Sequence, residues 1–276
     1  MKQLPPDVVS GHQICLLDVE LAYYVLVFCV LGVWSYFGAN FLLKGVRGRE
    51  GAAQAAYLRG FGTFVLLAVG LEALFVLDQY AEIYAGDPLF RRPADYGVDS
   101  VNFSDFFVLM PSVMAVCCAL LIWPLEKYAS GKPRPTIALF YLVLSPTPLV
   151  ARFVEVNLER WTGVPVRTGT LPFFAMTGVW VFMVALALFA GVVVVGYYVR
   201  MARAAPPRSK LRGKCRNVVL GIVVWMLGLG TTMTARQLLW SSLLPGAWWG
   251  PLVVAWTPGT LLVALGLLAS GFSREF

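Results

Sequence analysis

The chain has 276 residues, 59% of them hydrophobic and 13% charged, with a mean hydropathy of +0.73. A soluble domain carries about 25% charged residues, so a chain this poor in charge cannot cover a water-facing surface, and lipid must solvate much of it. The net charge of +7 would suit nucleic acid in a soluble protein, but the charges sit where membrane topology puts them, and no nucleic-acid partner is expected.

Seven apolar stretches are long enough to cross the hydrocarbon core, which takes about 20 helical residues. They lie near 19–43, 57–78, 105–125, 136–154, 171–199, 217–240 and 250–272. The tail ahead of the first, MKQLPPDVVSGHQ, lacks the basic stretch and apolar run of a cleavable signal, so the first span is expected to act as an uncleaved signal. The fourth span is interrupted by Pro146 and Pro148.

The connections assign orientation. Lys44, Arg47, Arg49 and Arg59 fall between the first and second spans, and Lys127, Lys132 and Arg134 between the third and fourth. Arg200, Arg203, Arg208, Lys210, Arg212, Lys214 and Arg216 link the fifth to the sixth, and Arg274 ends the chain. That puts 15 of 22 basic residues on one side, against three acids, Glu50, Glu126 and Glu275. Basic loops stay in the cytoplasm. The expected fold is therefore an all-α integral membrane protein. It is a single domain over 1–276, a seven-transmembrane helix bundle with its N-terminus outside and its C-terminus cytoplasmic, in the cell membrane.

The longest outer connection, 79–104, is acidic and carries Tyr80, Tyr84, Phe90, Tyr96 and Phe103. Connections of this length in a compact bundle are often binding surfaces.

Ionisable residues within or at the edge of the spans are the candidate ligand- or ion-binding groups, because a charge at bilayer depth is costly and normally faces a partner. These are Glu72 and Asp78 in the second span, Arg152 and Glu155 closing the fourth at an i, i+3 spacing, and Arg236 in the sixth. Gly221, Gly228, Thr232 and Arg236 form one stripe of the sixth helix, a face of small residues suited to close packing on a neighbour. The alternative is a structural interhelical salt bridge, with Asp78, Arg152 and Glu155 merely marking the headgroup boundary.

Pro258, preceded by Thr257 in the seventh span, is a candidate hinge, because proline frees a carbonyl that a threonine hydroxyl could take up. The cations Arg203, Arg208, Lys210, Arg212, Lys214 and Arg216 are candidate contacts for lipid headgroups or for a cytoplasmic or membrane protein partner.

Several chemistries have no residues to carry them. His12 is the one histidine, which argues against bis-histidine haem, histidine zinc sites and histidine-dependent triads. Cys15, Cys29, Cys117, Cys118 and Cys215 show no C-x-x-C and no regular spacing. Neither a phosphate loop nor a G-x-S-x-G elbow is present. No cofactor or metal is expected.

The topology resembles that of microbial rhodopsins and the seven-helix receptors. The seventh span has no lysine for a retinal Schiff base, however, and the third ends in IWPLEKY with no receptor-type triplet. No family follows from topology alone. A receptor-like or sensory module signalling through a partner is the leading expectation. A transporter or channel for a proton, ion or small solute comes next, then a scaffold subunit, and an intramembrane enzyme last.

Overall fold

The computed structural model describes residues 12–47, 51–81, 89–90, 105–131, 134–163, 171–240 and 246–272; among these the side chains of 12–23, 229–255 and several scattered positions fall outside the description. The described residues are helical throughout, with no strand among them. In lipid every backbone N–H and C=O must be satisfied within its own segment, and an uninterrupted apolar run meets that requirement as a helix.

The helices are α1 (His12–Val46), α2 (Ala52–Tyr80), α3 (Asp105–Pro124), α4 (Thr136–Leu144), α5 (Thr147–Thr162), α6 (Leu171–Ala204), α7 (Lys210–Trp240) and α8 (Gly246–Gly271). A π-helical turn, Leu125–Ala129, extends α3. All seven expected spans fall on helical chain, with α4 and α5 sharing the fourth.

Breaks come where the sequence punctuates. The Ser145-Pro146-Thr147-Pro148 run cannot supply the N–H groups of Pro146 and Pro148, so one helix ends at Leu144 and another starts at Thr147. The Ser145 N–H and hydroxyl both donate to the Leu142 carbonyl, at 3.3 and 2.8 Å, which satisfies the end of α4 locally. Gly131 and Gly163 take φ of +63° and +70° just past the π-helical turn and α5, the usual left-handed termination of a helix.

Among the described residues four helical stretches are long and apolar enough to cross a membrane: Tyr24–Val46, Ala52–Asp78, Val108–Ala129 and Thr136–Leu158. Large apolar side chains stand exposed along them, Val143 at 73% and Phe153 at 61% among them, as lipid-facing surface requires. The chain is thus an all-helical membrane protein.

It forms two compact units, one made of Met1–Trp34 with Ala202–Phe276 and the other of Ser35–Met201. In the first, α7 and α8 pack along glycines. A Cβ on Gly221 would lie 2.7 Å from Leu268 Cγ, and one on Gly228 would lie 2.6 Å from Thr260 Oγ1. The small-residue face of the sixth span is therefore what lets α8 approach. Asn217 Nδ2 donates to Ser270 Oγ across the same pair at 2.7 Å. Trp34 of α1 donates its indole N–H to the Leu261 carbonyl at 3.2 Å and packs on Trp225.

In the second unit α1 meets α2 as closely. A Cβ on Gly62 would be 2.6 Å from the backbone nitrogen of Leu42 and 2.7 Å from the Gly38 carbonyl oxygen. One on Gly60 would be 2.5 Å from the Leu120 carbonyl oxygen, so α3 lies against α2 there. Tyr141 of α4 donates to the Leu186 carbonyl of α6 at 2.7 Å.

Candidate functional site

Among the described residues, the second unit gathers ionisable side chains, most of them buried, at the C-terminal end of α2, the first turn of α3 and the middle of α5. Asp78 is 2% exposed, Glu155 5% and Arg152 8%. Burying such groups costs several kcal/mol each unless partners compensate, so their partners define the site.

Asp78 sits near the C-terminal end of α2, where the helix dipole disfavours an acid. Its Oδ1 accepts the backbone N–H of Phe90 at 2.9 Å, a charge-assisted bond that pins part of the 79–104 connection to the helix end. The Phe90 ring packs edge-on against Phe106, with centroids 5.5 Å apart, and Phe106 packs on Phe75 of α2 at 5.2 Å. Phe106 follows Asp105, an acid in the first turn of α3 where the dipole favours one.

Arg152 joins α3 to α5. Its Nη1 donates to Glu155 Oε2 at 2.9 Å, the i, i+3 pair expected from spacing, and its Nε lies 3.6 Å from Asp105 Oδ1. The second distance is an ion pair but too long for a hydrogen bond. The site is a chain of contacts from Phe90 through Asp78 and Phe106 to Asp105, Arg152 and Glu155. With every group ionised it would hold three carboxylates against one guanidinium. That arrangement can orient helix ends and attract a positively charged or hydrogen-bond-donating ligand. It contains no nucleophile set against a base.

Of the residues singled out from sequence, Asp78, Arg152 and Glu155 belong to this chain of contacts, and the last two pair directly. Glu72 is half-buried in α2. Arg236 lies on the helical backbone of α7, but its side chain is outside the described residues. The side chain of Thr257 is likewise outside them. α8 runs on through Pro258, whose ring is buried, and Thr260 donates to the Trp256 carbonyl at 2.9 Å. Arg203, Arg208, Lys210, Arg212 and Arg216 are exposed and Lys214 is half-buried.

Two residues of consequence were not among the candidates drawn from sequence. Asp105 is one. Glu126, fully buried in the π-helical turn, is the other. Its Oε1 accepts the N–H of Ile137 at 3.1 Å and its Oε2 that of Ala138 at 2.9 Å, with the Thr136 hydroxyl at 3.4 Å. It caps α4 from outside that helix. A signal existed: the N-cap of α4 is Pro135, which has no side-chain acceptor, so the orphan N–H groups needed a carboxylate from elsewhere.

Cys215, between Lys214 and Arg216, is buried in the first turns of α7, and that burial raises its thiol pKa above the ordinary value. Among the described residues no three His, Cys, Asp or Glu side chains converge as a metal site would need.

No protein-family model, curated protein or solved structure matches the chain.

Proposed function

We propose that the chain is a seven-span bundle of the cytoplasmic membrane, a single domain with its N-terminus outside and its C-terminus inside. In this reading it works as a receptor-like or sensory module. A ligand or protein partner engages its outer mouth, and an inner partner on the basic connections receives the signal.

The span count draws support from the lengths of α6, α7 and α8, which are 34, 31 and 26 residues, each above the roughly 20 that a span takes. Orientation rests on the alternation of basic and acidic connections. The observation that carries the functional reading is the bond from Phe90 N–H to Asp78. It couples a connection assigned to the outer face with the ends of α2 and α3, and through Arg152 with α5, so that anything displacing that connection acts on three helices together.

The test is proximity labelling of inner-face proteins from the C-terminus in cells. The parent chain should enrich a defined set that changes with Asp78→Asn and is depleted by charge reversal at Arg47 and Lys127. One unchanged set for all three proteins would overturn the receptor reading.

A transporter or channel for a proton, ion or small solute is the second reading, favoured by the break at Ser145–Pro146 in the middle of the Thr136–Leu158 stretch. Interrupted spans place backbone polar groups at bilayer depth, where solute sites form. Glu72 would then titrate, and Glu72→Gln should abolish pH-driven flux in proteoliposomes. Equal flux from the parent and the variant would remove this reading.

A further inference from the structure

From Arg160 to Arg274 the sequence has no aspartate or glutamate in 115 residues, yet it holds 11 lysines and arginines. Seven of these cluster between Arg200 and Arg216, and the five-residue connection from α6 to α7 lies within that run. A surface so free of carboxylates draws its counter-charge from outside this stretch of chain.

Two helix faces show what kind of anion meets it. On α7 the exposed residues Arg212, Arg216, Leu220, Val223 and Leu227 succeed one another at spacings of four, four, three and four, which is a single stripe of the helix. The stripe changes from cationic to greasy between Arg216 and Leu220, over about 6 Å of helix axis. On α6 the exposed residues Phe189, Val192, Arg200 and Arg203 form an equivalent stripe in the opposite chain direction, apolar first and cationic last. A soluble protein partner would not require exposed leucines to continue the cationic face. A lipid leaflet does, because its phosphates lie directly above its hydrocarbon.

The local structure adds to the positive potential. Pro206-Pro207-Arg208-Ser209 is a turn closed by the Ser209 N–H on the Pro206 carbonyl at 3.1 Å, and Arg208 takes a φ of +66°, where glycine is the low-energy choice. Ser209 then caps α7 through the Arg212 N–H at 3.3 Å. Lys210 with Lys214, and Arg212 with Arg216, are like-charged i, i+4 pairs in the turns where the dipole is already positive. The repulsion within these like-charged pairs would be relieved by phosphate.

We propose that the connection 203–216 is a binding surface for anionic phospholipid headgroups of the leaflet on its side, with Arg203, Arg208, Lys210, Arg212 and Arg216 as the phosphate contacts. The assignment rests on α6 and α7 being membrane spans and is independent of the receptor reading.

The experiment reconstitutes the full chain in bilayers of equal phosphatidylcholine and phosphatidylglycerol, extracts it in detergent and quantifies the lipid retained by mass spectrometry. Phosphatidylglycerol should be retained at least ten-fold over phosphatidylcholine, and 0.5 M salt should erase most of that preference. Each basic residue near an anionic surface contributes about five-fold in affinity. The Arg208→Gln, Lys210→Gln, Arg212→Gln triple variant should therefore lose most of that preference, while Arg91→Gln with Arg92→Gln, in the 79–104 connection, retains it. Equal retention of the two lipids by the parent chain would overturn the proposal, whether or not the triple variant folds. So would a triple variant that keeps the parent's preference, or one that loses an acidic protein partner while its lipid stays unchanged. Failure of the spans themselves would show separately, as both ends of α6 being accessible from one side of the membrane.

Discussion

Arg152 is held by Glu155 at 2.9 Å on its own helix and by Asp105 at 3.6 Å on α3, so removing the guanidinium would take from the buried Glu155 carboxylate its direct hydrogen-bond partner. Breaking a buried pair by deleting one partner costs about 3–5 kcal/mol. Arg152→Ala should therefore lower thermal stability in detergent sharply, whereas the double variant Arg152→Met, Glu155→Met should recover much of the loss. If Arg152→Ala unfolds at the parent's temperature, the cluster is not structural. Glu126 can be read in the same way. Glu126→Ala exposes two orphan N–H groups of α4 to an apolar interior and should cost about 1–3 kcal/mol, while Glu126→Gln keeps one acceptor oxygen and should lose less; equal melting of the three proteins would contradict the cap. Cys215 offers a test of burial outside the spans. Because its thiol pKa is raised, less thiolate is present at any given pH. A variant with Cys215 as its one cysteine should label slowly with maleimide at neutral pH and rapidly once denatured, and fast labelling of the folded protein would be inconsistent with its buried position. The pair Arg152–Glu155 was legible in sequence because both members lie on one helix at a fixed spacing. Asp105 and Glu126 were not, since their partners are brought to them by helix packing and by a chain reversal of ten residues.

At the scale of elements, glycine decides which helices touch. Gly62 faces backbone atoms of α1 at distances no Cβ can occupy, whereas Gly70 on the same helix has nothing within 4 Å. Gly62→Val should therefore destabilise the fold, and Gly70→Ala should be neutral or gain up to about 1 kcal/mol from helix propensity. The two are compared by thermal unfolding, and the reverse order would refute the α1–α2 packing. The packing of Gly221 and Gly228 against α8 was visible from their spacing of seven on the sixth span. The glycines of the second span were not, because Gly60 and Gly62 lie two residues apart and serve different neighbours, α3 and α1. The fourth span shows the opposite balance. Pro146 and Pro148 marked its break in the sequence, but the length of α5 was not apparent. That helix continues to Thr162, where Asn157 and Thr162 return their side-chain hydrogen bonds to the Phe153 and Leu158 carbonyls.

For the molecule as a whole, low charge content and long apolar runs determine that it is helical and membrane-borne, and both properties follow from composition. Orientation is expected from the charges of the connections alone, where a charge costs little and no packing constrains it. The receptor-like reading assumes that 79–104 and 203–216 lie on opposite sides of the bilayer. Labelling of intact and permeabilised cells with a membrane-impermeant reagent, using reporter cysteines Asp95→Cys and Arg208→Cys in chains tagged at either end, measures this directly. The N-terminal tag and position 95 should react from outside, and position 208 and the C-terminal tag only after permeabilisation. Reaction of both chain ends from the same side would contradict the account.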